Sequence, residues 1–239
     1  MLDLIKIVLV GTSHPGNIGA TARAMKTMGL KHLVLVQPKY FPHAEATAMA
    51  SGAQDLLDQA SVTDNLVDAV ADCQYVFGCT ARARDLQWPM QTPKDLAKQC
   101  KSLTSASAKI AIIFGRERTG LSNEELWYCH GGVTIPTSPD YHSLNLAQAV
   151  QIIGYELFQE SLGAGGLPEP QSLVVPVAVM EQFYQHLEQV LIEIGFMRAD
   201  EPKRLLPKLR RLFNRSAMQA SEMNILRGFL TQIQKHRKT

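Results

Sequence analysis

The chain has no apolar run long enough to span a bilayer; its hydrophobic stretches are short and broken by Lys, Gly or Gln. The N-terminal MLDLIKIVLVGTS has no basic region ahead of its apolar run, so it reads as a buried strand rather than a secretory signal. Cysteine is scarce. Cys73, Cys79, Cys100 and Cys129 form no C-x-x-C pair and have no histidine at finger spacing. This argues against zinc and against a disulfide framework; no metal is expected, and the expected location is cytoplasmic. The dinucleotide fingerprint is also missing. After the first strand the glycines read G-x-x-G rather than G-x-G-x-x-G, which weighs against a nicotinamide enzyme. No internal repeat or low-complexity tract is present.

What is there suits one domain of ordinary size with an appendage: 239 residues, 46% of them hydrophobic, are enough for a substantial core. The net charge of +2 hides an uneven distribution. From Glu201 onward ten Lys and Arg residues face only Glu201 and Glu222, so this tail carries +8 and the preceding residues −6. A basic tail of this kind suits a polyanion, although a solvated basic face accounts for it equally well.

The order of patterns predicts an α/β fold with a mostly parallel sheet flanked by helices. Buried strands are expected at Ile5–Val10, at 32–37, at 74–78, at 109–114 and at 132–135. The first runs into a Gly-rich loop over residues 11–19, then a helix stopped by Gly29. Asn17 stands at that helix entrance, and Arg23 lies one and a half turns further on. Short helices around Ser61–Thr63 fill residues 42–71, and another helix lies near 93–99. Ser122 and Glu125 have the spacing of a capping box. Three small-polar loops, at residues 79–84, 115–121 and 135–143, leave the ends of strands, where parallel sheets bind ligands. A small-molecule pocket is therefore expected. The last loop feeds the stretch DYHSLNLAQAVQIIGYE, residues 140–156, whose apolar positions recur at three and four residues. By itself that stretch reads first as a capped core helix, and only second as an acceptor-docking helix start.

After residue 162 the composition changes. Residues 163–172 are a Gly- and Pro-rich linker, and 173–239 form a basic helical extension with three amphipathic stripes. Those stripes are Val177, Met180, Tyr184, Leu187, Leu191 and Ile194; Leu205, Leu206, Leu209, Leu212 and Phe213; and Ile225, Leu226, Phe229, Leu230 and Ile233.

Three motifs in order resemble those of the SPOUT superfamily, the knotted RNA methyltransferases. They are N-x-G-x-x-x-R at Asn17–Arg23, F-G-x-E-x-x-G-L at Phe114–Leu121 and S-L-N-L-A at Ser143–Ala147, and the likeness covers roughly residues 1–160. With TSHPGNIGATARAMKTMGL, CTARAR before WPM, and the basic KLRRLF, the whole chain is similar to the bacterial tRNA (cytidine/uridine-32)-2′-O-methyltransferase family. The resemblance implies a deep trefoil knot over about residues 110–150 within the α/β sheet, a homodimer, and S-adenosylmethionine as cofactor. It implies cofactor contacts at Cys79, Thr80, Ala81, Gly115, Ile135, His142, Ser143 and Leu144. Arg23, Asn17, Glu117, Ser143 and Asn145 are the implied catalytic set. In it Arg23 binds the adjacent phosphate and stabilises the developing alkoxide, Asn17 holds Arg23 or the ribose, and Glu117 and Asn145 brace the loops. The tRNA anticodon stem-loop is the implied partner, gripped by Arg23, Arg82, Arg84, Lys203, Arg204, Lys208, Arg210, Arg211 and Arg215. The residues themselves leave open a ribosomal RNA or another tRNA position as substrate, and a non-catalytic RNA-binding protein.

Overall fold

A computed structural model describes residues 1–81, 89–163, 174–198 and 205–237. Seven strands build one sheet: β1 (Ile5–Val10), β2 (His32–Val36), β3 (Ser61–Thr63), β4 (Tyr75–Cys79), β5 (Met90–Gln91), β6 (Ile110–Phe114) and β7 (Gly131–Val133). Their order is β3-β2-β1-β6-β4-β7-β5, and every neighbouring pair is parallel. The helices are α1 (Pro15–Thr27), α2 (Ala44–Ala50), α3 (Gln54–Asp58), α4 (Leu66–Val70), α5 (Pro93–Ser105), α6 (Asn123–Leu126) and α7 (Leu146–Leu162). Beyond them come α8 (Val177–Glu193), α9 (Leu206–Arg215) and α10 (Ala220–Arg237).

The central strands are apolar on both faces because helices cover both. Alternation divides their side chains between two layers. Ile5, Ile7, Leu9, Leu33, Leu35, Phe77, Ile110, Ile112 and Phe114 share a core with residues of α1, α2, α5 and α7. Val8, Val10, Val34, Val36, Val76, Ala111 and Ile113 point the other way, onto Leu66, Ala69 and Val70 of α4 and Leu126 of α6. The first layer thus carries the larger strand side chains and the second the smaller ones.

Several sequence boundaries shift. The loop expected over residues 11–19 ends at His14, since Pro15 already occupies the first turn of α1, where its missing N–H and fixed φ are tolerated. Asn17 and Gly19 are consequently helical. Gly19 is a packing residue: a Cβ there would lie 2.0 Å from the Ala46 carbonyl oxygen, so only glycine lets α2 approach α1 so closely. The helix near 93–99 extends to Ser105, and β5 had no sequence signal because two residues cannot show a period. β7 ends at Val133, two residues short of its expected end.

The C-terminal helices have a core of their own, built from Met180, Phe183, Tyr184, Leu187, Val190, Met218, Met223 and Leu230. The expected stripe on α10 is split. Leu226, Leu230 and Ile233 pack inward, whereas Ile225 and Phe229 stand 71% and 62% exposed. This unit is tied to the sheet domain at defined points. Val177 is buried in the small-residue core and its N–H donates to the Cys73 carbonyl at 3.1 Å. Buried Asn214 donates to the Trp127 carbonyl at 2.6 Å and accepts the Tyr184 hydroxyl at 2.7 Å. Arg210, expected among the RNA contacts, is largely buried and pairs with Glu181 through both terminal nitrogens. Its guanidinium lies 4.4 Å from the Tyr184 ring centroid and 5.6 Å from that of Tyr128. This corrects the sequence expectation: Arg210 is a strut between α8, α9 and the sheet domain.

Removing one partner of a shielded ion pair strands the other charge, which costs about 3 kcal/mol or more. Arg210→Ala is therefore expected to destabilise the protein by about that amount in urea titrations. The Arg210→Ala/Glu181→Ala double variant should lose less than the sum of the two single variants.

Candidate active site

The carboxyl ends of β4, β6 and β7 open into a cavity of about 470 Å³. Its walls come from the three loops picked out in the sequence, together with Leu146 and Ala149 on the first turns of α7. Each loop is held by specific bonds. Thr80 N–H donates to Val133 O at 3.0 Å, and Thr134 Oγ1 returns a bond to Thr80 O at 2.7 Å, joining the β4 and β7 exits. The β6 exit closes on itself through Arg116 N–H to Gly120 O (3.2 Å) and Gly120 N–H to Arg116 O (2.8 Å). That closure requires glycine at 115, where a Cβ would fall 2.1 Å from the Gly120 carbonyl carbon. Asn145 caps α7 by accepting the Ala147 N–H, while Gln148 accepts the Asn145 N–H. The helix therefore begins at Leu146, two residues later than the apolar pattern alone suggests.

All eight residues expected to contact a cofactor line this cavity: Cys79, Thr80, Ala81, Gly115, Ile135, His142, Ser143 and Leu144. Glu117 lines it as well. Burial pushes the Cys79 thiol up to about 12, so at neutral pH it offers apolar surface and no nucleophile. His142 and Ser143 are exposed at the mouth, beside Tyr141, which is 74% exposed. Arg116 also lines the cavity, but its Nη1 donates to both Glu125 oxygens, at 2.9 and 3.1 Å, and Glu125 accepts the Ser122 N–H. The apolar floor of Phe114, Ile135, Leu144, Leu146 and Ala149, rimmed by backbone and hydroxyl groups, suits a planar heterocycle with polar edges. Among the described residues no group of three or more His, Cys, Asp or Glu could hold a metal ion.

Beside the cavity, one hydrogen-bond chain crosses three segments. Asn17 Nδ2 donates to Glu117 Oε1 at 3.0 Å, and Asn17 Oδ1 accepts from Asn145 Nδ2 at 2.9 Å. Glu117 also accepts the Ser13 N–H and hydroxyl at 3.1 and 3.0 Å and the His14 N–H at 3.2 Å. Burial raises the Glu117 pKa, but the bonds from Asn17 and the backbone amides outweigh it and hold the carboxyl below its ordinary 4.5. Asn17 thus engages Glu117 and Asn145 rather than Arg23. Its amide lies in the first turn of α1, and Arg23 is exposed one and a half turns away, outside the cavity lining. Ser13 and His14 were missed as members of this chain because a backbone N–H donor carries no sequence signature and the Ser13 hydroxyl meets a carboxylate 104 positions away.

Of the expected RNA contacts, Arg82, Arg84, Lys203 and Arg204 lie outside the described residues. Lys208 and Arg215 are exposed on α9 and Arg211 is half-buried. None of these three has an ion pair among the described residues.

A parallel sheet with a ligand-sized cavity at its carboxyl ends, walled by three loops and extended by a basic helical unit, defines the class of α/β ligand-binding domains with a helical appendage. The chain belongs to the SpoU rRNA Methylase family, which matches residues 4–155. Residues 178–239 match a second family, "tRNA methyltransferase TrmJ, C-terminal domain". The chain is 49% identical to the tRNA (cytidine/uridine/adenosine-2′-O-)-methyltransferase TrmJ of Pseudomonas aeruginosa, over 98% of this chain and 95% of that protein. It is 51% identical to the tRNA (cytidine/uridine-2′-O-)-methyltransferase TrmJ of Sodalis glossinidius, over 100% and 94%. The crystal structure of TrmJ from Z. mobilis superposes with a TM-score of 0.85 at 33% identity, covering 96% of this chain and 98% of that one.

The charge on Glu117 holds the loops together, which sets a pH dependence. A carboxyl whose native pKa is depressed stabilises the fold above its unfolded value, and that stabilisation fades as pH falls through the lower native value. The stability difference between wild type and Glu117→Gln is therefore expected to be constant above about pH 5 and to shrink below the ordinary 4.5. Urea midpoints across pH 3–7 measure it.

Proposed function

We propose that this protein transfers a methyl group from S-adenosylmethionine to the ribose 2′-oxygen at position 32, cytidine or uridine, in the anticodon loop of tRNA. The observation that carries this reading is the full-length match. One chain joins a SpoU-type sheet domain to a TrmJ-type C-terminal unit, and its TrmJ relatives align over nearly their whole length. Position 32 rests on the motif resemblance.

The cavity fits the cofactor in size and in the chemistry of its walls. When bound, S-adenosylmethionine supplies an activated methyl on a sulfonium centre. Thr80, Gly115, Ile135 and the 142–144 segment are the groups that would hold it. The protein's remaining task is to align a weakly acidic hydroxyl and accommodate the charge that develops as its proton leaves. An arginine guanidinium keeps its proton at physiological pH, so it is a poor base but a strong partner for phosphate and alkoxide. Arg23 is assigned that role, with the proton leaving through the neighbouring phosphate. Asn17, Glu117 and Asn145 position the loops, and Ser143 faces the reaction from the α7 side.

A homodimer, implied by the motif resemblance, is part of the proposal. It is supported by the placement of Arg23, which is exposed and outside the lining of its own cavity, where a second copy could bring a guanidinium to that cavity. The trefoil threading of residues 110–150 is part of the proposal, supported by the insertion of β6 between β1 and β4 and by the closed loop after it. Lys208, Arg211 and Arg215 provide cations for the RNA phosphates.

Transfer of tritium from labelled S-adenosylmethionine to unmodified bulk tRNA, followed by mapping of the modified nucleotide, tests the reading. Label is expected at the ribose of position 32. Arg23→Ala should reduce the rate by about 100- to 1,000-fold, with unchanged cofactor affinity. Label in ribosomal RNA or at another tRNA position would overturn the substrate assignment. Failure to bind the cofactor would leave an RNA-binding protein.

A further inference from the structure

A second cleft, of about 540 Å³, opens at the carboxyl ends of β1 and β2. Ser13, His14, Lys39, Tyr40, Glu45 and Arg118 are among its walls. It is a constructed feature of the fold. Lys39 N–H donates to the Thr12 carbonyl at 2.9 Å, pinning the chain that leaves β2 against the loop that leaves β1. His43 Nδ1 accepts the Glu45 N–H and so caps α2, setting Glu45 in the first turn of that helix. The Tyr40 ring is half-exposed, and the Lys39 ammonium lies 5.2 Å from its centroid. Arg118 is exposed and has no ion pair among the described residues. It also lines the cofactor cavity, so the two hollows meet at this side chain.

The wall chemistry corresponds to the parts of a nucleotide. Lys39 and Arg118 answer a phosphate. An open tyrosine face next to a cation is a stacking platform for a base. Glu45, the one carboxylate lining the cleft among the described residues, accepts from ribose hydroxyls or an exocyclic amine, groups that a bare phosphate lacks. We infer that this cleft seats a ribonucleotide of the RNA strand adjacent to the one whose ribose enters the active site. Its phosphate is assigned to Lys39 and Arg118, and its base to Tyr40. This deepens the methyltransferase reading and rests on it.

Steady-state methyl transfer and filter binding with unmodified tRNA test the inference, using Lys39→Ala, Tyr40→Ala and their conservative counterparts Lys39→Arg and Tyr40→Phe. Each alanine variant is expected to raise KM and Kd for tRNA about tenfold, while cofactor affinity stays at the wild-type value. Lys39→Ala should also flatten the slope of log Kd against log salt by about one. Tyr40→Phe keeps the stacking face and Lys39→Arg keeps the charge, so both should stay near wild type. Alanine variants with unchanged tRNA affinity and salt slope would overturn the inference. So would a parallel loss of cofactor affinity, which marks a merely structural role. Wild-type protein that binds tRNA but transfers no methyl would sink the reaction; the same binding series would then still decide whether the cleft holds RNA.

Discussion

Glu117 sits where three lengths of chain converge: its carboxylate accepts from the Ser13–Asn17 segment, and Asn17 carries the connection on to the third length at Asn145. The carboxylate takes two backbone amides and a hydroxyl from the Ser13–His14 turn and an amide from Asn17, while Asn17 reaches on to Asn145 at the start of α7. Oxygens that accept several donors at once are well served only while charged, which explains why the depressed pKa accompanies the geometry. The arrangement couples the exits of β1 and β6 to the cap of the longest helix in the sheet domain. The cavity at the ends of β4, β6 and β7 and the neighbouring cleft both meet this junction, with Glu117 lining the first and Ser13 and His14 the second.

A second set of bonds connects the site to the basic extension. Arg116 crosses from the cavity wall to Glu125, and Glu125 belongs to the capping box that begins α6. Just past that helix, the Trp127 carbonyl and the Tyr128 ring receive Asn214 and Arg210 from α9. The extension is thus fastened to the element that supports the cavity, rather than strung on its linker alone. A cation used in this way no longer adds to the exposed positive charge of α9. The positive face of α9 is correspondingly smaller than the run of basic residues suggests, with Lys208 and Arg215 outermost.

Much of the fold was legible along the chain. β1, β2, β4 and β6 are short apolar runs, β-branched or aromatic, ended by glycine or polar residues, and a strand buried on both faces needs no alternation to be recognised. The capping box at Ser122 and Glu125 and the positive-φ stop at Gly29 were equally visible, because each is a local rule. The shortest strand was not visible, and neither was the true start of α1, which proline concealed inside what looked like a glycine loop. The outward Ile225 and Phe229 defeated the third stripe, since a helix containing many apolar residues does not specify which of its faces finds a partner.

By itself, the sequence determined the kinds of group available. It placed three polar loops at strand ends, an amide and a guanidinium six residues apart on one helix, and an excess of positive charge near the end of the chain. Only the tertiary structure decided which of those groups meet. Asn17 and Asn145 are 128 positions apart, and so are joined by packing rather than by any local pattern. The same holds for Glu117 and the Ser13 amide, and for Arg210, whose identity says cation while its surroundings make it a buried strut. Hydrogen bonds and ion pairs act within a few ångströms, and sequence separation does not measure that distance.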